Sequence, residues 1–519
     1  MDASTLLPAL TMLRLRRFSF VFLFVAAFAS PAWAQTAAPA ARARSADPLA
    51  GLDAYIEQAR RAWEIPGLAI AIVRDDSVIF ARGYGVREHG RDAPVDEHTL
   101  FAIASTTKAF TVAALGMLVD EGALNWDDPV RKHLPGFELQ DPYVTRNVTI
   151  RDLLTHRVGV AREDNVWIAS PFDRPEIIRR LRHLDQVNGF RHGYSYNNLM
   201  YMVAGEVVAA AADTSWDAFV EERLFRPLGM TRTTSRFDVV QTRDNVSSSH
   251  IRSGGQIIVM DRRNYDALGP AGSIFSSVWD MAQWIRLHLN GGVYEGKRLL
   301  KKETIEEMHT PQVVIRMDSV TRRMFPTQNF SAYGLGWRLH DYHGRKVVQH
   351  TGSVNYTRTQ VGMIPSEGIG VVVIANLSSS ELQTALMYRV FDLLLGLPET
   401  DWSAEYLALE QRSRTSASAG AAEAEVKAAQ RGPSLPLDAY TGVYSDSLYG
   451  DVTVALEDGR LVLRYSPDYV ADLEHWRFDT FRGRWRSRGF GQTTVTFGLD
   501  SRGRVRSLEL QGFTTFRRR

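Results

Sequence analysis

Residues 101–124 read FAIASTTKAFTVAALGMLVDEGAL, an apolar helical run interrupted by one residue of the wrong polarity, Lys108. The chain has only seven lysines among its 61 lysines and arginines, so nearly all its other positive charge is arginine. Ser105 precedes Lys108 by one helical turn, which puts both side chains on one face. At a helix start, unpaired backbone N–H groups favour negative charge developing on such a serine. A serine hydroxyl is a weak nucleophile until a base takes its proton. A lysine in water, with a pKa of about 10.4, cannot be that base. Burial disfavours the ammonium and lowers this value by up to roughly 3–5 units. Arginine cannot be deprotonated in a protein, so only lysine suits the position. The same four letters also fit a capped helix whose lysine reaches the surface, so the pattern needs company.

Two other stretches supply it. Residues 192–208, HGYSYNNLMYMVAGEVV, place Tyr196 and Asn198 two apart, on one side of an extended segment. A phenol can relay a proton and an amide can hold a substrate carbonyl. A satisfied aromatic at a helix entry is the plainer alternative. Residues 347–356, VVQHTGSVNY, end a strand at His350, Thr351 and Gly352, where glycine lets another backbone approach. The backbone N–H of Ser353 can join that of Ser105 as an oxyanion hole. Alone, this stretch also reads as a turn with a surface histidine.

In order and spacing the three stretches resemble the penicillin-recognising serine hydrolases, in the branch of class C β-lactamases, D,D-carboxypeptidases, esterases and D-aminopeptidases. The resemblance runs from about Leu52 to Leu397. It includes IPGLAIAIV at 65–73, DEGALNWDDPVRKHLP at 120–135, TIRDLLTHRVGV at 149–160, GPAGSIFSSVWDMAQW at 269–284 and YGLGW at 333–337. It implies an acyl-enzyme on Ser105, general acid/base duty shared by Lys108 and Tyr196, and substrate binding by Asn198 and by the strand at His350, Thr351 and Gly352. It implies no cofactor and no metal. His350 stands where β-lactamases usually carry lysine. Histidine is mostly neutral at pH 7, which weakens recognition of anionic penicillins unless an arginine such as Arg358 substitutes. The expected activity is therefore hydrolysis of small esters, or of amides and peptides, with poor β-lactam turnover. A β-lactamase or D,D-carboxypeptidase proper is the alternative, and a non-catalytic binding relative a further one.

The rest of the chain bounds this reading. At 519 residues it is long enough for two or three domains. A net charge of +2 without a basic aromatic patch gives no reason to expect nucleic acid. Without cysteine, disulfides, thiolate metal sites and a cysteine nucleophile are excluded. Residues 13–35, LRLRRFSFVFLFVAAFASPAWAQ, read as a secretory signal ending at Ala34, with an uncut anchor as the alternative. Export to a bacterial periplasm is expected, with a small-molecule or peptide substrate and no membrane contact beyond export. GGVYEGKR at 291–298 nearly spells a phosphate-binding loop, but it follows a helical segment and has Arg298 where Ser or Thr is required.

The expected organisation is a signal at 1–34, a tether at 35–50, a serine hydrolase domain at 51–398, a linker at 399–434 and a β-domain at 435–519. The resemblance implies an α+β, β-lactamase/transpeptidase-like fold for the hydrolase, an antiparallel sheet flanked by helices plus an all-helical region. Strand-like runs at 67–88 and 346–377 suggest a sheet built from both ends of this domain. Alternating runs around Asp458-Gly459 and Arg502-Gly503 predict hairpins of a small antiparallel barrel, similar to the lipocalin-like module appended to many relatives.

Overall fold

The computed structural model describes residues 47–412 and 432–519, apart from Asn355 and Ser379. The expected signal and tether lie outside the described residues, except for the last few tether positions. Eight antiparallel strands form the main sheet, in the order Ser77–Gly85, Gly67–Arg74, Ile369–Ala375, Thr357–Ile364, Arg345–Val354, Arg338–Tyr342, Ser331–Tyr333 and Val313–Val314. The pairing of Gly67–Arg74 with Ile369–Ala375 joins the two ends of the domain, as their apolar runs predict. Those runs are continuous rather than alternating because both faces of the sheet are covered. Ile70 and Ile72 pack with Leu52, Ile56 and Leu386 on one side, while Ala69, Ala71 and Val73 share a second core with Phe110, Trp284 and Ile285.

The Thr107–Asp120 helix is buried from Thr107 to Leu118. A helix without a polar face has to be enclosed, and this one is, by Asn198–Ala212, Trp216–Val220 and Val278–Leu289. Phe110 stacks on Trp284, with ring centroids 4.0 Å apart, and so ties the helix to the layer that crosses the sheet.

Within the stretch read as a linker, residues 402–412 are helical. Trp402 is buried there and donates to Asp392 Oδ2 at 2.7 Å, so this part packs onto the hydrolase. Residues 413–431 lie outside the described residues. Beyond them, eight strands from Gly442–Asp446 to Thr515–Arg518 close into an antiparallel barrel, sealed by pairing of the first with the last. The Asp458-Gly459 turn has φ of 47° and 75°, the left-handed pair a tight hairpin needs. GGVYEGKR contains a two-stranded hairpin, Val293–Tyr294 with Lys297–Arg298, as its turn composition suggests.

Several buried histidines sit in this fold without charge. Burial pushes His309 down to about 3, beside His288 with 3.1 Å between ring nitrogens. Burial likewise pushes His340, hydrogen-bonded to the Tyr388 hydroxyl at 3.0 Å, down to about 4. In the unfolded chain each titrates near 6.5. Below that value the unfolded chain binds more protons than the folded one. Stability is therefore full above about pH 6.5 and falls as the pH drops toward the folded values, by on the order of 1 kcal/mol per pH unit for each histidine. Urea midpoints should stay level above about pH 6.5 and fall steadily from there to about pH 5; a flat profile below about pH 6.5 contradicts neutral burial.

Candidate active site

Ser105 lies in the short 3-10 turn Ala104–Thr106 that opens into the Thr107–Asp120 helix. Ala104 has φ of 52°, a left-handed conformation that costs a residue with a β-carbon about 1–3 kcal/mol. The surroundings impose it. Ile103 is hydrogen-bonded to Ile274 O at 2.9 Å, and the Arg345–Val354 strand presses against the turn at Gly352. A β-carbon on Gly352 would stand 2.3 Å from Ile103 O and 3.0 Å from the Ala104 β-carbon, so only glycine fits. The glycine of the third stretch is thus there to let the strand reach the serine turn.

Lys108 is completely buried, and burial holds its pKa well below the ordinary value. The Asp164 carboxylate works against that shift and Arg162 adds to it. Nζ lies 2.7 Å from Asn198 Oδ1, 2.8 Å from Ala271 O and 3.3 Å from Ser105 Oγ. A neutral amine has two N–H bonds and one lone pair. Asn198 and Ala271 are acceptors that take the two N–H bonds, which leaves the lone pair for the Ser105 hydroxyl. Such an arrangement can take a proton from Ser105.

Burial raises the pKa of Tyr196, with the nearby Ser105 hydroxyl acting weakly against it, so the phenol stays protonated. Its ring lies 4.9 Å from Lys108 Nζ. His156 fixes the segment that carries it. His156 O accepts from Ser195 N at 2.7 Å and Nδ1 accepts from Asn197 N at 3.1 Å, while the imidazole packs 4.3 Å from the Tyr196 ring. Asn197 caps the Asn198–Ala212 helix by accepting from Met200 N. Asn198 is oriented at both ends of its amide, with Oδ1 on Lys108 and Nδ2 donating to Asp164 Oδ1 at 2.8 Å. A second N–H on Nδ2 remains for a ligand.

A cavity of about 350 Å³ opens over Ser105, bounded by Asn198, Ser353, Arg263, Tyr356 and Phe490 among others. His350 does not line it. Nδ1 donates to Thr351 O at 2.7 Å, so the neutral ring accepts at Nε2 from the Tyr333 hydroxyl at 3.0 Å. Burial, reinforced by the charge of Arg338, pushes His350 down to about 3. The expectation that His350 contacts substrate is therefore corrected to a buried support behind the strand, because the Tyr333 hydroxyl, two strands away in the sheet, occupies its Nε2. Gly352 is buried and Thr351 half-buried, and of this stretch Ser353, Val354 and Tyr356 reach the cavity. Arg358 is not a substitute cation either. It is ion-paired with Glu381 and bonded to Ser380 O at 3.2 Å. The arginines that do line the cavity are Arg162, bonded to Asp164 Oδ2 at 2.7 Å, and Arg263, which lies 3.9 Å over the Phe490 ring.

Asp164, His156, Arg263 and Phe490 are the site residues that sequence reasoning did not single out. Only Phe490 carries a local signal, an apolar ring in an otherwise polar turn, Ser487-Arg488-Gly489-Phe490-Gly491. Among the described residues no group of three or more histidines and acids is placed to hold a metal ion.

The sequence model of the β-lactamase family matches residues 52–394, and one described as a domain of unknown function (DUF3471) matches residues 426–518. The unguisins hydrolase ungD of Aspergillus violaceofuscus (strain CBS 115571) is 29% identical over 463 residues, covering 82% of this chain and 81% of that protein. Protein flp of Staphylococcus aureus (strain COL) is 25% identical over 335 residues, 63% of each chain. The octameric penicillin-binding protein homologue from Pyrococcus abyssi shares the fold with a TM-score of 0.61 at 23% identity, over 90% of this chain and 100% of that one. Because the matched region spans the serine turn, the Tyr196 segment and the Gly352 strand, and amounts to well over half of the sequence, the chain belongs to the β-lactamase family of hydrolases.

Proposed function

We propose that the chain is an exported serine hydrolase that cleaves small esters, or amides and peptides, through an acyl-enzyme on Ser105. The observation that carries this reading is the buried Lys108 amine, with its two N–H bonds committed and Ser105 Oγ at 3.3 Å. Ser105 Oγ attacks the substrate carbonyl carbon as its proton passes to Lys108 Nζ. Backbone N–H groups at Ser105 and Ser353 hold the oxyanion. The Tyr196 hydroxyl gives its proton to the departing alcohol or amine and is reprotonated from the Lys108 ammonium. Water then attacks the acyl-enzyme with the same groups in reverse order.

Poor β-lactam turnover is supported by the charges around the cavity. His350 is neutral and buried, Arg358 is paired, Arg162 is bonded to Asp164, and Arg263 is stacked on Phe490 and bonded to Ser487 Oγ. A hydrolase-named relative across most of the chain supports hydrolysis. Substrate size is bounded by the barrel, whose Arg488–Phe490 turn places Gly489 and Phe490 on the cavity. Phe490 is held there between the Arg263 guanidinium and the Tyr469 ring, stacked at 4.1 Å.

A panel of short-chain nitrophenyl esters, D- and L-amino-acid amides, D-alanyl-D-alanine peptides and nitrocefin, together with a fluorescent phosphonate, tests the reading. Labelling should occur and vanish in Ser105→Ala. Lys108→Arg puts a permanent cation where the amine is neutral and cannot act as a base, and should cost about 10²–10⁴-fold in kcat. Efficient nitrocefin hydrolysis, or labelling that survives Ser105→Ala, contradicts it. Phe490→Ala should raise kcat/KM for bulky acyl esters by about tenfold, the scale of one methylene of pocket contact, with little effect on acetyl esters. An equal effect on both denies the barrel a part in selectivity.

A further inference from the structure

The barrel touches the hydrolase at a second place, behind the cavity. The segment Glu163–Asn165 runs past Asn198, and its middle residue, Asp164, accepts from Asn198 Nδ2 at 2.8 Å, from Trp167 Nε1 at 3.0 Å and from Arg162 Nε at 2.7 Å. The residues on either side of Asp164 are held by the barrel. The Tyr449 hydroxyl donates to Glu163 Oε2 at 2.6 Å. The Tyr469 hydroxyl donates to Asn165 Oδ1 at 3.0 Å, and Asn165 Nδ2 donates to Gly512 O at 2.5 Å. Both tyrosines are buried and their bonds to Glu163 and Asn165 are partly shielded from water, where a lost partner is costly, while the Asn165–Gly512 bond lies at the exposed edge of the seam.

We propose that the barrel positions the catalytic centre: Tyr449, Tyr469 and Gly512 fix the Glu163–Asn165 turn, whose Asp164 carboxylate orients Asn198 and thereby the Lys108 amine. The inference rests on the serine-hydrolase reading, since it concerns the same amine, and it makes Asp164 a positioning residue. The chain of contacts is short and directional. The Asp164 carboxylate has only acceptors to offer, so it takes the N–H end of the Asn198 amide and forces Oδ1 toward Lys108. If the turn shifts, Asn198 is free to rotate, and Lys108 loses the acceptor that keeps its lone pair on Ser105. A misplacement of about 1 Å in such a constellation costs about 10²-fold in rate. The barrel thus acts on reactivity through this seam, separately from the cavity wall at Phe490.

The test is the pH dependence of the phosphonylation rate of Ser105 in the full-length chain. Three variants are compared with the parent: Asp164→Ala, the double Tyr449→Phe/Tyr469→Phe, and Tyr444→Phe. The last removes a barrel hydroxyl bonded internally to Tyr440 O at 2.7 Å, away from the seam. Asp164→Ala should lower the limiting rate by about 10–100-fold and move the acid limb to lower pH, because a negative charge that favours the ammonium is gone. The double variant, which keeps both rings, should lose about tenfold in limiting rate. Tyr444→Phe should match the parent. A double variant with the parent's rate, or with the same loss as Tyr444→Phe, overturns the inference. If the parent chain is itself not labelled, the serine-hydrolase reading falls and takes this inference with it.

Discussion

A primary amine with no access to water, one turn from a serine hydroxyl, is the constraint around which the rest of the hydrolase is arranged. Burying an ammonium costs several kcal/mol, and the cost is avoided most simply by releasing the proton. What the fold supplies is a set of partners that suits the neutral amine: two acceptors, Asn198 Oδ1 and Ala271 O, and one hydroxyl. The helix that carries Lys108 is apolar on every side because nothing else could keep water away. The layers on either face of the sheet, and the stacking of Phe110 on Trp284, serve that enclosure.

The same constraint accounts for local strain. To bring Ser105 to the cavity while Lys108 points inward, the chain turns through Ala104 in a left-handed conformation, and the neighbouring strand comes so close that position 352 has room only for glycine. His156 and Asp164 do corresponding work on the other side, one setting the Tyr196 segment and the other the Asn198 amide. The barrel belongs to this arrangement as well, since it contributes Phe490 to the cavity and hydrogen bonds to both neighbours of Asp164.

Legibility in the sequence followed contact range. Ser105 and Lys108 are readable together because a helix turn fixes their relation. The Asp458-Gly459 hairpin is readable because its dihedral angles are a property of two residues. The central strands announce themselves as apolar runs, since a sheet covered on both faces has no polar side to display. Contacts between distant segments left no such trace. Asp164 meets Asn198 across 34 residues, and Tyr449 meets Glu163 across 286. His350 looked like an edge residue in its own strand, but the Tyr333 hydroxyl and its own backbone claim both ring nitrogens. The helix over 402–412 was obscured because its apolar anchors, Trp402, Tyr406 and Leu407, are interleaved with polar residues ahead of a low-complexity run.

The scarcity of lysine makes the central claim directly measurable. With seven lysines in the chain, the side-chain resonance of Lys108 can be assigned in nitrogen-15-labelled protein as the one lost in Lys108→Arg. Its chemical shift, followed from pH 5 to 11, should report an uncharged amine throughout the neutral range, with any protonation confined to the acid end. An ammonium shift that persists to pH 10 would contradict the account, because a nitrogen that keeps its third proton cannot take one from Ser105.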